Sequence, residues 1–229
     1  MKKASVRSSH LPPRPGLLLE PRKSPVQSRS TASVDALLEA TIQVLLSVGK
    51  ERLTTSRVAL RAGVSVGTLY QYFPNKSALL QAVLKRHLDN VAQQVERVCQ
   101  EQEGNSLKQI APALINAFLD AKMKTPKTSV ALYAVSSDLD GAKIVQRLGI
   151  QVNRAIVAVL ASAREPLRKD PQVVASMLQS AMFGVSQRLL QSSTPEKELN
   201  PLREELIYLV SAYLEACSAP AVIPRTFVG

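Results

Sequence analysis

The sequence predicts an all-α protein in two parts: an N-terminal three-helix helix-turn-helix domain and a larger C-terminal helical domain. Three observations lead there. Apolar residues recur at helical spacing from Ser33 onward, and no segment carries the period-2 alternation of a strand. Two short segments that can each be capped meet at Gly63. The chain has 229 residues, 45% of them apolar, enough material for a real core.

Residues 1–30 read as a disordered basic tail. Pro12, Pro13, Pro15, Pro21 and Pro25 fall there among Ser, Arg and Lys. Leu17, Leu18 and Leu19 are too few for the apolar stretch of a signal peptide. The first helix follows: Val34, Leu37, Leu38, Thr41, Val44, Leu45 and Val48 form one stripe, ended by Gly49. Thr55 or Ser56 can cap a second helix reaching Ala62. Ser65 can cap a short third, stopped by Pro74. Asn75 can cap a long fourth running to about Gln102, with Gly104 as its break.

Further helices are expected over 106–124, from Pro126 to about Val135, over 142–163, over 171–191 and over 202–217. Residues 220–229 read as a loose tail. The domain boundaries implied are 31–86 for the helix-turn-helix part and 87–219 for the rest. No uninterrupted apolar run reaches the roughly 18–20 residues that span a bilayer.

Charge narrows the function. Lysine plus arginine is 29 against 18 aspartate plus glutamate. Residues 1–86 hold fourteen basic and four acidic residues, whereas residues 87–229 hold fifteen and fourteen. A positive block at one end points to a polyanion, nucleic acid or an acidic membrane surface. With no basic amphipathic helix and no lipidation motif in the tail, nucleic acid is favoured. Enzyme chemistry has little to work with. The only histidines are His10 and His87, and Cys99 and Cys217 form no CxxC pair. No catalytic set, cofactor or metal is expected. The two cysteines read as small core residues, suited to a reducing, cytoplasmic setting. His87 reads as a surface or hinge residue. Arg147, Gln151 and Arg154 read as a water-facing stripe.

The chemistry concentrates in residues 55–76. Ala59 is small where two helices cross, and Gly63 can take the positive φ of the turn. Val58, Val64 and Leu69 supply the apolar contact. Ser65 opens the second of the pair and puts Val66, Gly67 and Thr68 on its first turn. In a helix-turn-helix that turn meets base edges in the major groove.

The stretches Ala62-Gly63-Val64-Ser65, Gly67-Thr68-Leu69-Tyr70-Gln71-Tyr72-Phe73 and Asn75-Lys76-Ser77-Ala78-Leu79-Leu80 resemble the TetR (tetracycline repressor) family of bacterial transcriptional regulators. The resemblance covers about residues 33–86. It implies phosphate contacts from Thr55, Tyr70, Tyr72 and Lys76, and base or groove contacts from Ser65, Val66, Gly67 and Thr68. Arg57 and Arg61 share a helix face within reach of DNA backbone. Arg22 and Arg29 precede the domain, where an arm lies along the backbone or enters a minor groove.

The resemblance further implies a homodimer on a palindromic operator in double-stranded DNA, released by a small-molecule effector. Its last two helices would form the dimer bundle, with Leu178, Ala181, Gly184, Leu206, Leu209 and Tyr213 at the interface. An effector pocket would be lined by Val95, Leu114, Phe118, Tyr133, Val152 and Met182. An effector-independent DNA-binding protein and an activator use the same reading head and stay open on the sequence.

Overall fold

The helical period is realised along the chain. The computed structural model describes residues 25–136 and 139–218, of which 25–30, 133–134 and 139–140 are described in their backbone alone. The described residues form nine helices: α1 (Pro25–Arg52), α2 (Thr55–Ala62), α3 (Val66–Tyr72), α4 (Lys76–Glu101), α5 (Leu107–Met123), α6 (Pro126–Ser136), α7 (Leu139–Ala161), α8 (Pro171–Gln191) and α9 (Pro195–Cys217). Among those residues there is no strand, only an isolated bridge between Leu167 and Ser218. Residues 1–24 and 219–229, which hold most of the two expected tails, lie outside the description.

Two boundaries differ from the sequence reading. Helix α1 starts at Pro25, within the expected tail, where a proline suits a first turn that needs no N–H. Its regular run stops at Gly49, as the sequence reading has it: φ 75° and ψ 168° there are non-helical, and a short further turn carries the chain to Arg52. Helix α9 starts at Pro195, seven residues before Leu202. Pro201 sits inside it on the exposed side, where water can reach the carbonyl that loses its donor. Glu198 anchors the added turns, accepting from the Ser192 hydroxyl and pairing with Arg188 at 3.3 Å.

The caps follow local chemistry. Ser65 accepts from Thr68 N at 3.0 Å, and Asn75 accepts from Ala78 N at 2.8 Å. Helix α2 is capped by Thr54, one residue before the expected start, which accepts from Arg57 N at 3.3 Å. At its other end Val64 N bonds to Ala59 O and Gly63 N to Leu60 O, the paired bonds of a Schellman ending. Gly63 there has φ 69°, a conformation costly for any residue with a Cβ.

Two apolar cores result. The N-terminal core joins Leu37, Leu38, Val44 and Leu45 of α1 to Val58, Leu69 and Phe73, and to Leu79, Leu80, Val83 and Leu84 of α4. It also takes in Leu132 and Val135 of α6, so α6 packs on the helix-turn-helix part despite lying far along the chain. The C-terminal core gathers Val95 and Cys99 of α4 with the inner faces of α5, α7, α8 and α9. Both cysteines are buried free thiols, and burial pushes Cys99 up to about 12, an inert thiol. Two helical stretches, Thr31–Arg52 and Gly141–Ala161, are long and apolar enough to cross a bilayer by length and composition. Neither is an uninterrupted apolar run, since Asp35 and Glu39 fall within the first and Lys143, Arg147 and Arg154 within the second. Here each gives buried side chains to a core, such as Leu37 and Leu45, or Ile156 and Leu160.

His87 lies where the two cores meet and is mostly buried, not on the surface. Its Nε2 is 3.1 Å from the Ser129 hydroxyl, which itself donates to Lys122 O at 2.8 Å. With that hydroxyl proton committed, His87 Nε2–H is the donor to Ser129. Burial first, then the positive charge of Lys122, holds His87 down at about 4. A histidine kept neutral in the fold takes up a proton more readily when unfolded. Its contribution to stability is therefore complete above about pH 6.5 and is lost as pH falls toward 4. Urea midpoints should fall over that window in the parent protein and fall less steeply in His87→Asn. Equal pH dependence of the two would contradict the neutral, buried assignment.

Candidate nucleic-acid interface

Helix α3 is seven residues long and fastened from one side only. Leu69 is fully buried beneath it and Phe73 follows one turn later, nearly buried. The opposite side holds Ser65, Val66, Gly67, Tyr70 and Gln71, all exposed. Val66 and Tyr70 are 37% and 49% exposed, unusual for large apolar or aromatic side chains on so short a helix. Thr68 and Tyr72 are half-buried at its edges. The Thr68 hydroxyl lies 2.8 Å from that of Ser65, so the first turn is fixed by its own polar groups.

Neighbouring elements extend this surface. The Thr55 hydroxyl at the start of α2 shares a hydrogen bond with that of Tyr70 at 3.1 Å. Two of the four residues expected at phosphates thus meet on one exposed face. Arg57 and Arg61 are exposed too, but both are occupied: Arg57 Nη1 donates to Arg52 O at 3.2 Å, and Arg61 Nε to Gln43 Oε1 at 2.5 Å.

Lys76 has a role the sequence reading missed. Its ammonium donates to Lys50 O at 2.6 Å and lies 3.5 Å from Glu51 O. Arg52 Nε donates to Val48 O at 3.2 Å. Three cations, Arg52, Arg57 and Lys76, therefore hold carbonyls on either side of the Gly49 kink and at the end of α1. Helix C-termini leave such carbonyls without internal donors and carry partial negative charge. The basic residues expected to face DNA thus also lock α1 to α2 and α4. Arg29 lies in α1 within its backbone-only part, and Arg22 lies outside the described residues.

The remaining expected residues divide. Val95, Leu114 and Met182 are buried in the C-terminal core, and Phe118 and Val152 pack against it. They are brought together in the packed interior, and the three cavities described below are lined by other residues. The side chain of Tyr133 is outside the description. Leu178 and Leu206 are likewise core residues, at 1% and 3% exposure. Ala181 is half-buried, while Gly184 and Leu209 are exposed. Half-buried Tyr213 has Lys169 Nζ 5.5 Å from its ring centroid. The outward apolar side chains of the last two helices are Val173, Met177 and Phe183 on α8 and Tyr208 and Leu209 on α9. Leu178 and its outward neighbour Met177 differ by one position, about 100° around a helix. Arg147 and Arg154 face solvent, and Gln151 donates to Glu96 at 2.6 Å.

Three of the cavities lie at the seam between the cores, the largest a polar cleft of about 810 Å³ between α1, α4 and α5 that His87 also lines. Another, of about 50 Å³, is lined by residues including His87, Lys122, Ser129, Leu132, Phe183 and Gln187. The third is an apolar groove of about 520 Å³ between α1, α6 and the α8–α9 connection.

A rigid helix pair with a short, one-sidedly exposed second helix, set in a basic domain and followed by an all-α domain, defines a helix-turn-helix DNA-binding regulator. The family model for bacterial regulatory proteins of the tetR family matches residues 37–83. The model for the tetracyclin repressor-like C-terminal domain matches residues 106–214. The chain belongs to the TetR family of transcriptional regulators and is not an enzyme.

An uncharacterised helix-turn-helix-type transcriptional regulator of Mycobacterium tuberculosis is 26% identical over 199 residues, covering 83% of this chain and 96% of the relative. A crystal structure of a TetR-family regulator from Mesorhizobium loti superposes with TM-score 0.65 at 19% identity, over 83% of this chain and 99% of that one. SmeT, the repressor of the Stenotrophomonas maltophilia multidrug efflux pump SmeDEF, gives 0.62 at 22% identity, over 87% and 97%. A SmeT–triclosan complex superposes at 0.60 with 21% identity, over 83% and 93%.

The Lys76 clamp has a measurable consequence. Lys76→Met removes a charge-assisted bond and leaves Lys50 O without its donor, so stability should fall by about 1–2 kcal/mol. Urea denaturation reads this directly. An unchanged midpoint would mean that Lys76 does not serve as a clamp in solution.

Proposed function

We propose that the protein is a homodimeric repressor that binds a palindromic operator and is released from it by a small-molecule effector. The carrying observation is that α8 and α9 leave large apolar side chains exposed, Val173, Met177 and Phe183 on the one and Tyr208 and Leu209 on the other. Gly184, also exposed, has open space where a Cβ would stand and permits a close helix approach there. One seven-residue recognition helix reads only a few base pairs. Two copies related by a two-fold axis sum their binding over two half-sites about 34–36 Å apart.

Ser65, Val66, Gly67 and Thr68 read bases, with exposed Gln71 added one turn after Gly67. Thr55, Tyr70, Tyr72 and Lys76 hold phosphates, and Arg57 and Arg61 border them. Arg29 belongs to the arm. The repressor sense and the response to a ligand draw support from SmeT, a structural relative that is a repressor and binds triclosan. The cavities at the seam between the cores support the same reading, since a ligand there touches both domains. A soluble, cytoplasmic protein fits this role.

Selection of bound sequences from random double-stranded DNA tests the reading. A palindrome with half-sites one helical turn or a whole multiple of it apart is expected, and Thr68→Ala should change the base preference within each half. Phe183→Glu combined with Tyr208→Glu should give a monomer by sedimentation and lower operator affinity by about a hundredfold or more. Salt-sensitive binding with no consensus, or a stable dimer in the double variant, would overturn the proposal.

A further inference from the structure

We propose that the small cavity at the seam of the two cores is the effector site, and that it takes the carboxylate of a small aliphatic acid with Lys122 as counter-ion. The inference rests on the reading of the protein as a ligand-responsive regulator and names the chemistry of the ligand.

The polar lining is Lys122, His87, Ser129, Ser136 and Gln187, and no acidic residue stands among the lining residues described. Lys122 is the one cation in it, since His87 is kept neutral. Among the described residues its ammonium has no carboxylate partner and no hydrogen-bond acceptor. Burial alone holds it below the usual lysine range. A desolvated ammonium without a counter-ion is costly, and the missing partner is an anion. Gln187 supplies a second observation. Its Oε1 is buried without a hydrogen-bond partner. A half-turn of that amide would put its NH₂ in the place of the orphaned oxygen, a second donor in the same lining as Lys122.

Size sets the head group. About 50 Å³ is free. One water needs roughly 10–15 Å³ by the same kind of measure, so the three heavy atoms of a carboxylate fit. The other walls are apolar, among them Leu84, Leu88, Leu132 and Val145. Phe183 lines the cavity and is 46% exposed, so its ring stands at the mouth and marks where an aliphatic tail leaves.

The position explains a response. Leu84 and Leu132 line the cavity and belong to the N-terminal core beneath the reading head. Phe183 belongs to the exposed face of α8 assigned above to the dimer. A carboxylate drawn to Lys122 therefore acts between the two surfaces whose relation sets the spacing of the recognition helices.

The test uses the full-length protein. Calorimetric titration with acetate, butyrate and hexanoate, against hexan-1-ol and hexylamine, reads the charge requirement. At least one carboxylate should bind and neither control should. Lys122→Met should weaken binding by about tenfold or more, as expected for loss of a hydrogen bond to a charged group. Lys124→Met, an exposed lysine outside this cavity, should bind as the parent does. Lys122→Gln serves if the methionine variant fails by circular dichroism, since it keeps polarity and removes charge. Absence of carboxylate binding, or equal binding by parent and Lys122 variants, overturns the inference while leaving DNA recognition intact. Lys122-dependent binding with unchanged operator affinity upholds the site and overturns the ligand-responsive reading.

Discussion

Helix α4 is buried at its two ends in two different cores, and the rest of the molecule depends on that. Leu79, Leu80, Val83 and Leu84 complete the core beneath the recognition helix, while Val91, Ala92, Val95 and Cys99 enter the core of the larger domain. Between them, residues 85–90 contribute no fully buried side chain. One continuous helix therefore joins the core beneath the recognition helix to the core of the larger domain. Its start is fixed twice, by the Asn75 cap and by Lys76 on the carbonyls of α1. Moving α4 without moving the reading head would break those bonds, so the two move together.

Helix α6 supplies the second connection. It follows Pro126, far from the helix-turn-helix in sequence, yet Leu132 and Val135 sit in the N-terminal core. The boundary at residue 86 is therefore a boundary of sequence and not of packing. His87 and Lys122 lie at this seam, His87 in the stretch of α4 between the two cores and Lys122 on α5 beside Met123 of the C-terminal core. Polar groups persist there because each except Lys122 and Gln187 has a hydrogen-bond partner.

Much of this was legible in the sequence, for local reasons. Caps at Ser65 and Asn75, the turn at Gly63 and the span of α8 after Asp170 and Pro171 follow from short-range chemistry. Phe73 was separable from Tyr70 because only the former lies four residues after buried Leu69. Long-range facts were not legible. Nothing near Lys76 in sequence says that its ammonium ends on Lys50 O, twenty-six residues away. Nothing near Leu178 or Leu206 separates a core leucine from an outward one, because a broad apolar stripe tolerates a rotation of one residue. The same ambiguity leaves pocket wall and core indistinguishable in sequence at Val95, Leu114 and Met182, which pack in the C-terminal core. The last helix was expected only from Leu202, yet Pro201 lies inside α9 on an exposed face, where water replaces the single lost bond.

The central claim is that α4 is one rigid shaft shared by both domains. Native-state amide hydrogen exchange on the full-length protein tests it most directly. Amides from residue 80 to residue 99 should open with a single free energy, equal to that of global unfolding, with residues 85–90 as protected as their neighbours. Faster exchange confined to residues 85–90 would make the middle of α4 a hinge, and would contradict transmission through a rigid helix.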